Sequence, residues 1–362
     1  MTDFMTKNKE KLEQFAAMSQ AAGSRSDYVQ GGGGNTSVKL ADGLMAIKAS
    51  GYCLSDIRPD KAYAVLDYEA LRRFYYGNEP AQLADVEKLG SACAKENTKL
   101  IEGMDALRPS VEAGFHSILK TFVCHTHSVY ANLAACSTAC CEIAEKAFNG
   151  ADYTWGWVPY TDPGANLTFA IRDELRRVAE KTGKVPSVIL MQNHGIIVHD
   201  DDAERCLAIH ADANERLAQQ FGIHGDSFPA ISVRQTGEEL YEADTPYLRE
   251  ALKNCRYDYK TFIETPLYPD QMVFLIGTFF MDKEGTPAEG ECYADTKTGA
   301  LVLHMGEKKA KTITETLTAV IFIMDTITKM GYTVSTMGEA AKSFIANWES
   351  EKYRKSLAGK KG

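Results

Sequence analysis

The chain has 362 residues, 44% hydrophobic and 25% charged, proportions that exclude wholesale disorder and fit about two domains. With 40 basic against 49 acidic residues the formal charge is −9, so the surface repels nucleic-acid backbones and anionic lipid, and any small anion needs a local pocket. No stretch approaches about 18 uninterrupted apolar residues. Residues 1–11 lack the apolar core of a signal peptide, and nine scattered cysteines read as reduced thiols. The expectation is a cytoplasmic chain with neither a nucleic-acid nor a membrane partner.

Residues 8–22 space Leu12, Phe15, Ala16 and Met18 along one helical face. The Gly-rich loop Gln30–Asn35 follows, then a hairpin, Thr36–Leu40 and Leu44–Ala49, around Ala41-Asp42-Gly43. Residues 60–76, 83–100 and 109–119 read as helices, the last opened by Pro109-Ser110. A short strand, 121–127, carries two histidines. A loop containing Gly, Pro and Trp, 148–164, leads to a helix at 165–182 and a buried strand at 187–192. The next helix is capped by Asp200-Asp201-Asp202 and runs to Phe221. The polar stretch 222–236 marks a boundary that divides the chain into 1–225 and 236–362. Beyond it the pattern suggests a helix over 238–254, a strand over 271–281, a hairpin over 291–304, and helices over 308–330 and 338–357. The fold class is mixed α/β, with a smaller C-terminal α+β region.

The chemistry gathers in three places. His125 and His127 are two apart in a strand, so both imidazoles leave the same face. His194 ends another strand, just before Gly195. Three neutral nitrogen ligands with an open fourth position suit a catalytic zinc ion; the alternative is ordinary strand histidines. His199, His210, His224 and His304 read as surface or core residues. Glu112 and His116 share a helical face near the two-histidine strand. Glu112 can be a fourth ligand or a general base, or only a first-turn carboxylate complementing the helix dipole; His116 reads as packing or support. Anion-binding candidates are the Gly31–Gly34 loop with Asn35, the strip Lys48-Ala49-Ser50-Gly51, and Ser110 at a helix start. The loop is neither a dinucleotide fingerprint nor a P-loop.

In this order, Gly33-Gly-Asn-Thr-Ser-Val-Lys39, Ala49-Ser-Gly51, Pro109-Ser-Val-Glu112 with His116, His125-Thr-His127 and Asn193-His-Gly195 resemble the class II aldolase/adducin family over about residues 10–221. The resemblance implies an antiparallel sheet with helices on both faces, a homotetramer with active sites near subunit interfaces, and sugar-phosphate substrates. It implies His125, His127 and His194 as zinc ligands and Glu112 as catalytic acid/base. Gly34, Asn35, Lys48, Ser50, Gly51 and Ser110 would hold the substrate phosphate. Val111 stands where L-fuculose-1-phosphate aldolase carries a second serine, a departure for which Lys48 can compensate. The chemistry implied is a lyase reaction, cleavage of a ketose 1-phosphate to dihydroxyacetone phosphate and an aldehyde, with Tyr160 as a candidate proton donor to the aldehyde. Sugar-phosphate 4-epimerase or dehydratase chemistry and a non-catalytic adducin-like module are the alternatives within the family.

Overall fold

The hairpin expected around Asp42-Gly43 forms the middle of the larger sheet. In the computed structural model, which describes residues 3–347, β1 (Asn35–Lys39) and β2 (Leu44–Lys48) pair antiparallel with Ser37 opposite Ile47. Asp42 and Gly43 turn the chain with φ of 60° and 71°. The sheet is completed by β3 (Tyr63–Asp67), β4 (Thr98–Lys99), β5 (Phe122–Thr126), β6 (Trp155–Val158), β7 (Val188–Met191) and β8 (Gly195–Asp200). Among the described residues it has eight strands in the order β4-β3-β2-β1-β5-β8-β7-β6, antiparallel except for the parallel pair β6–β7.

Period-two alternation explains why helices cover both faces. Ala46, Cys124, Leu190 and Val198 pack in one core with the helices Lys9–Gly23, Val129–Ala135 and Ala203–Gln220. Their strand neighbours Val123, Ile189 and Ile197 point the other way, into a second core with Phe115, Phe169 and Leu175. Met45, Ile47 and Leu66 form a third with Leu71 and Ala113.

The C-terminal region contributes β9 (Val233–Gly237), β10 (Leu240–Ala243), β11 (Phe279–Met281), β12 (Cys292–Ala294) and β13 (Leu301–His304), ordered β11-β12-β13-β10-β9. Its helix Glu307–Lys329 shares the first core with Leu133, Ala134 and Phe221, so the two sheets rest on common hydrophobic material. The helix buries Thr312, Thr314, Thr316 and Thr318 because each hydroxyl donates to the carbonyl four residues back, at 2.7–3.0 Å. No helix among the described residues is long and apolar enough to cross a membrane.

Several expected elements differ. Residues 60–76 split into β3 and the helix Tyr68–Gly77, because Asp67 caps the helix by accepting from Ala70 N at 2.9 Å. The expected helix 83–100 shortens to Val86–Glu96 and ends in β4, and that over 109–119 shortens to Ala113–Ile118. Residues 238–254 give β10 followed by Pro246–Lys253. The expected strand 271–281 is a helix, Pro269–Leu275, followed by β11; Pro269 suits a first helical turn, and a short apolar run does not by itself separate buried strand from buried helix. The loop 148–164 contains β6, whose Trp155 and Trp157 pack against the core. The helix expected over 338–357 is seen as Glu339–Asn347, and its remainder lies outside the described residues.

Candidate metal centre

Three strands deliver the histidines. His125 lies in β5, His127 one residue past its end, and His194 in the turn between β7 and β8. Gly195 makes that turn possible. A Cβ there would stand 2.3 Å from Thr126 O, so only glycine lets β8 close on β5 at this point. Asn193 adopts a φ of 52° and anchors the turn by donating from Nδ2 to Leu267 O and Ser335 O, both at 2.8 Å.

The three rings stand 4.9–5.0 Å apart by centroid, and their candidate ligand atoms all lie within 4.8 Å of one another. His125 Nε2 and His127 Nε2 are 3.2 Å apart. Two nitrogens bound tetrahedrally to one zinc ion at about 2.0–2.1 Å are separated by about 3.3 Å. His125 Nδ1 donates to Ile196 O at 3.0 Å, which leaves its Nε2 lone pair facing the other two rings. Burial brings the His125 imidazole down to about 4 and that of His194 to about 3, keeping both in the neutral, ligating form.

Glu112 closes the site. It stands just before the helix Ala113–Ile118 instead of inside it, its side chain free of any capping bond, and its Oε1 and Oε2 sit 3.3 Å from His194 Nε2 and 3.5 Å from His125 Nε2. Burial alone would raise its pKa, but the His125 and His194 rings and the Asn35 amide outweigh this and bring it to about 2. Oε1 is buried without a hydrogen bond among the described residues. A buried carboxylate oxygen facing imidazole lone pairs is costly. A divalent cation among them removes that cost, so the donor set fits a metal ion.

Asn35 connects this centre to His116. Its Nδ2 donates to Glu112 Oε2 at 2.6 Å and Ser110 Oγ at 3.1 Å, while its Oδ1 accepts from His116 Nε2. His116 Nδ1 in turn accepts from Ser37 Oγ at 2.7 Å, so His116 supports Asn35 and stays away from the triad. Lys39 ties down the end of the same helix, donating to the carbonyls of His116, Leu119 and Lys120.

A cavity of about 50 Å³ opens beside the triad, lined by Gly34, Asn35, Lys48, Ser50, Gly51, Ser110, Glu112, His127 and His194 among others. All six anion-binding candidates therefore meet there, with different degrees of freedom. Lys48 Nζ donates to Gly32 O at 3.1 Å and Tyr52 O at 2.8 Å, bracing the Gly-rich loop. Gly31 N donates to Glu315 Oε2 and Gly33 N to Gln30 O, each at 3.0 Å, so these two amides already have partners. Val111 also lines the cavity. A larger cavity of about 710 Å³ shares Ser110 and Val111 with it but contains none of the three histidines.

Tyr160 is not brought to this cavity. Its hydroxyl donates to Asp162 Oδ1 at 3.3 Å, its ring packs with the cluster of Met272 and Val273, and burial raises its pKa. One residue of the site escaped the sequence reading: Asp270, whose Oδ2 lies 2.5 Å from His127 Nδ1. The only signal is a carboxylate after Tyr268-Pro269, one residue before the strand expected over 271–281.

Residues 13–221 match the family described as Class II Aldolase and Adducin N-terminal domain. No curated protein matches the chain. Among solved structures, the N-terminal class II aldolase domain of a conserved protein from Thermoplasma acidophilum is 20% identical, over 57% of this chain and 92% of that one, with a TM-score of 0.47. YgbL from Klebsiella pneumoniae is 19% identical over 60% and 91%, with a TM-score of 0.42. L-fuculose 1-phosphate aldolase from Glaciozyma antarctica is 13% identical over 61% and 76%, with a TM-score of 0.39. The family match spans more than half of the chain and contains the three histidines, Glu112 and Asn35. The chain belongs to the class II aldolase and adducin N-terminal domain family.

Proposed function

We propose that this protein is a divalent-metal-dependent aldehyde-lyase, with zinc held by His125, His127 and His194, that cleaves a ketose 1-phosphate to dihydroxyacetone phosphate and an aldehyde. One observation carries the reading: the three imidazoles cluster with the Glu112 carboxylate, and His127, His194 and Glu112 face a cavity walled by Gly34, Ser50, Gly51 and Ser110. A non-catalytic module has no use for a buried carboxylate set 3.3–3.5 Å from two imidazoles of a three-histidine cluster.

When bound, the ion acts as a Lewis acid that stabilises negative charge developing on the substrate's ketone oxygen as the C3–C4 bond breaks. The chain's own groups do the rest. The Ser50 and Ser110 hydroxyls and the turns at Gly34 and Gly51 hold the phosphate and so fix the carbon chain against Glu112. Glu112 enters the reaction ionised, and Asn35 holds its Oε2, leaving Oε1 to take up the proton released by the C4 hydroxyl as the C3–C4 bond breaks and to deliver it to C3, the carbon that becomes the hydroxymethyl group. Burial of the whole set limits water in the site and strengthens each electrostatic contact. Assembly into a homotetramer belongs to the same reading, and sedimentation analysis tests it.

The test is a panel of ketose 1-phosphates and free ketoses, with dihydroxyacetone phosphate release followed by reduction with a coupled dehydrogenase, before and after chelation. Release from a phosphorylated ketose that zinc restores supports the reading. A metal-loaded protein that releases none, or that only inverts a stereocentre of a pentulose 5-phosphate, overturns it.

A further inference from the structure

The family match ends at residue 221, yet the metal centre does not. Pro269, from the C-terminal region, lines the same cavity as His127 and His194. The next residue, Asp270, is fully buried, and its Oδ2 stands 2.5 Å from His127 Nδ1. The Gly-rich loop is shaped around this pair. A Cβ on Gly33 would meet Asp270 Oδ2 at 2.3 Å and His127 Nδ1 at 3.1 Å. The C-terminal region grips the loop at two further points, Glu315 Oε2 accepting from Gly31 N at 3.0 Å and Tyr268 hydroxyl donating to Gln30 Oε1 at 3.4 Å.

A neutral imidazole carries one proton, and the nitrogen that bears it cannot bind a metal ion. An ionised carboxylate only accepts, so a partner at Nδ1 places the proton there and leaves the Nε2 lone pair free. A backbone carbonyl does this for His125, whereas His127 has a carboxylate acceptor, which holds the ring more firmly and makes Nε2 a stronger donor. Burying a carboxylate against an imidazole is poor economy for stability alone.

We propose that Asp270 is a positioning residue of the metal centre, holding His127 as the Nδ1–H tautomer with Nε2 directed at the ion, and that residue 33 is glycine because this pair packs against it. The C-terminal region thereby completes the site that the family domain begins. The proposal rests on the triad binding a metal ion and is independent of which reaction follows.

The experiment uses the full-length chain, stripped by chelator, with Asp270→Asn, Asp270→Ala and Gly33→Ala beside wild type. Zinc affinity is measured by competition with a chromophoric chelator. The His127 tautomer is read by nitrogen NMR on histidine-labelled, metal-free protein, and thermal melts in chelator report folding. Wild type is expected to show Nδ1–H at His127. Asp270→Ala weakens zinc binding about 10–100-fold and lets the Nε2–H tautomer appear. Asp270→Asn keeps an acceptor oxygen, retains the tautomer and falls between. Gly33→Ala weakens zinc binding although Asp270 and His127 are both present. An Nε2–H tautomer in wild type, or unchanged affinity in the folded variants, overturns the proposal; if Asp270→Ala does not fold, the wild-type tautomer and the other two variants decide. A wild type that takes up no zinc overturns the metal reading and this role together. A protein that binds zinc but cleaves no ketose phosphate overturns the aldolase reading alone, and the affinity series still decides on Asp270.

Discussion

Asn35 donates from Nδ2 to Glu112 Oε2 at 2.6 Å, and the same side chain accepts from His116 through Oδ1. One amide thus orients the carboxylate that faces the triad and is itself oriented by an imidazole outside the triad. Its opposite edges are both committed, which fixes which way the amide faces.

Glu112→Gln keeps the size and an acceptor oxygen for Asn35 but cannot carry a proton as a carboxylate does. Turnover is expected to fall about 10²–10⁴-fold, the usual span of general acid–base catalysis. Zinc stoichiometry by elemental analysis stays at one per chain, because the three histidines remain. An undiminished kcat removes Glu112 from proton transfer.

Asn35→Ala strips Glu112 Oε2 of its donor and leaves His116 Nε2–H buried without an acceptor. A buried polar group deprived of its partner costs about 1–3 kcal/mol. Denaturant unfolding should show a loss of that size, and kcat should fall at least tenfold as Glu112 loses its orientation. Unchanged stability would mean that water replaces the amide.

Zinc should stabilise the folded chain by mass action. At a free concentration one hundred times the dissociation constant, the gain is about 2.7 kcal/mol. Melting curves with and without zinc measure it, and His125→Ala or His194→Ala should abolish the zinc-dependent part. A gain that survives both substitutions places the ion elsewhere.

His199, in β8, titrates outside the metal centre. Burial first, then the nearby Lys120 and Lys39, push its pKa down to about 3. The unfolded chain takes up this proton near pH 6.5 and the folded chain does not, so stability falls as pH drops from 6.5 towards 3. At pH 5 the cost from this residue is about 2 kcal/mol. His199→Leu should flatten the acid limb of the stability curve by that amount relative to wild type at the same zinc concentration. Parallel curves refute the assignment.

Residues whose meaning lies in local spacing were legible from the sequence. The hairpin around Asp42-Gly43 needs only a turn and two alternating strands. The helix at 165–182 needs only one apolar stripe, and it has the expected ends. The order Asn35, Glu112, His125, His127, His194 carried the family and the candidate metal set. Elements with short apolar runs, such as 63–67 and 269–281, were not legible, because helix and strand bury such runs equally well and partners far along the chain decide.

By itself, the sequence determined which side chains could bind a metal ion and that no global field would hold an anion. Tertiary structure decided how those side chains are used. It took Lys48 and the amides of Gly31 and Gly33 into bracing the loop, kept Tyr160 out of the cavity, and brought Asp270 from 143 residues away onto His127. The physical reason is that a hydrogen-bonding group has few partners to give, and which partner it takes depends on what folding places beside it, a matter no local pattern records.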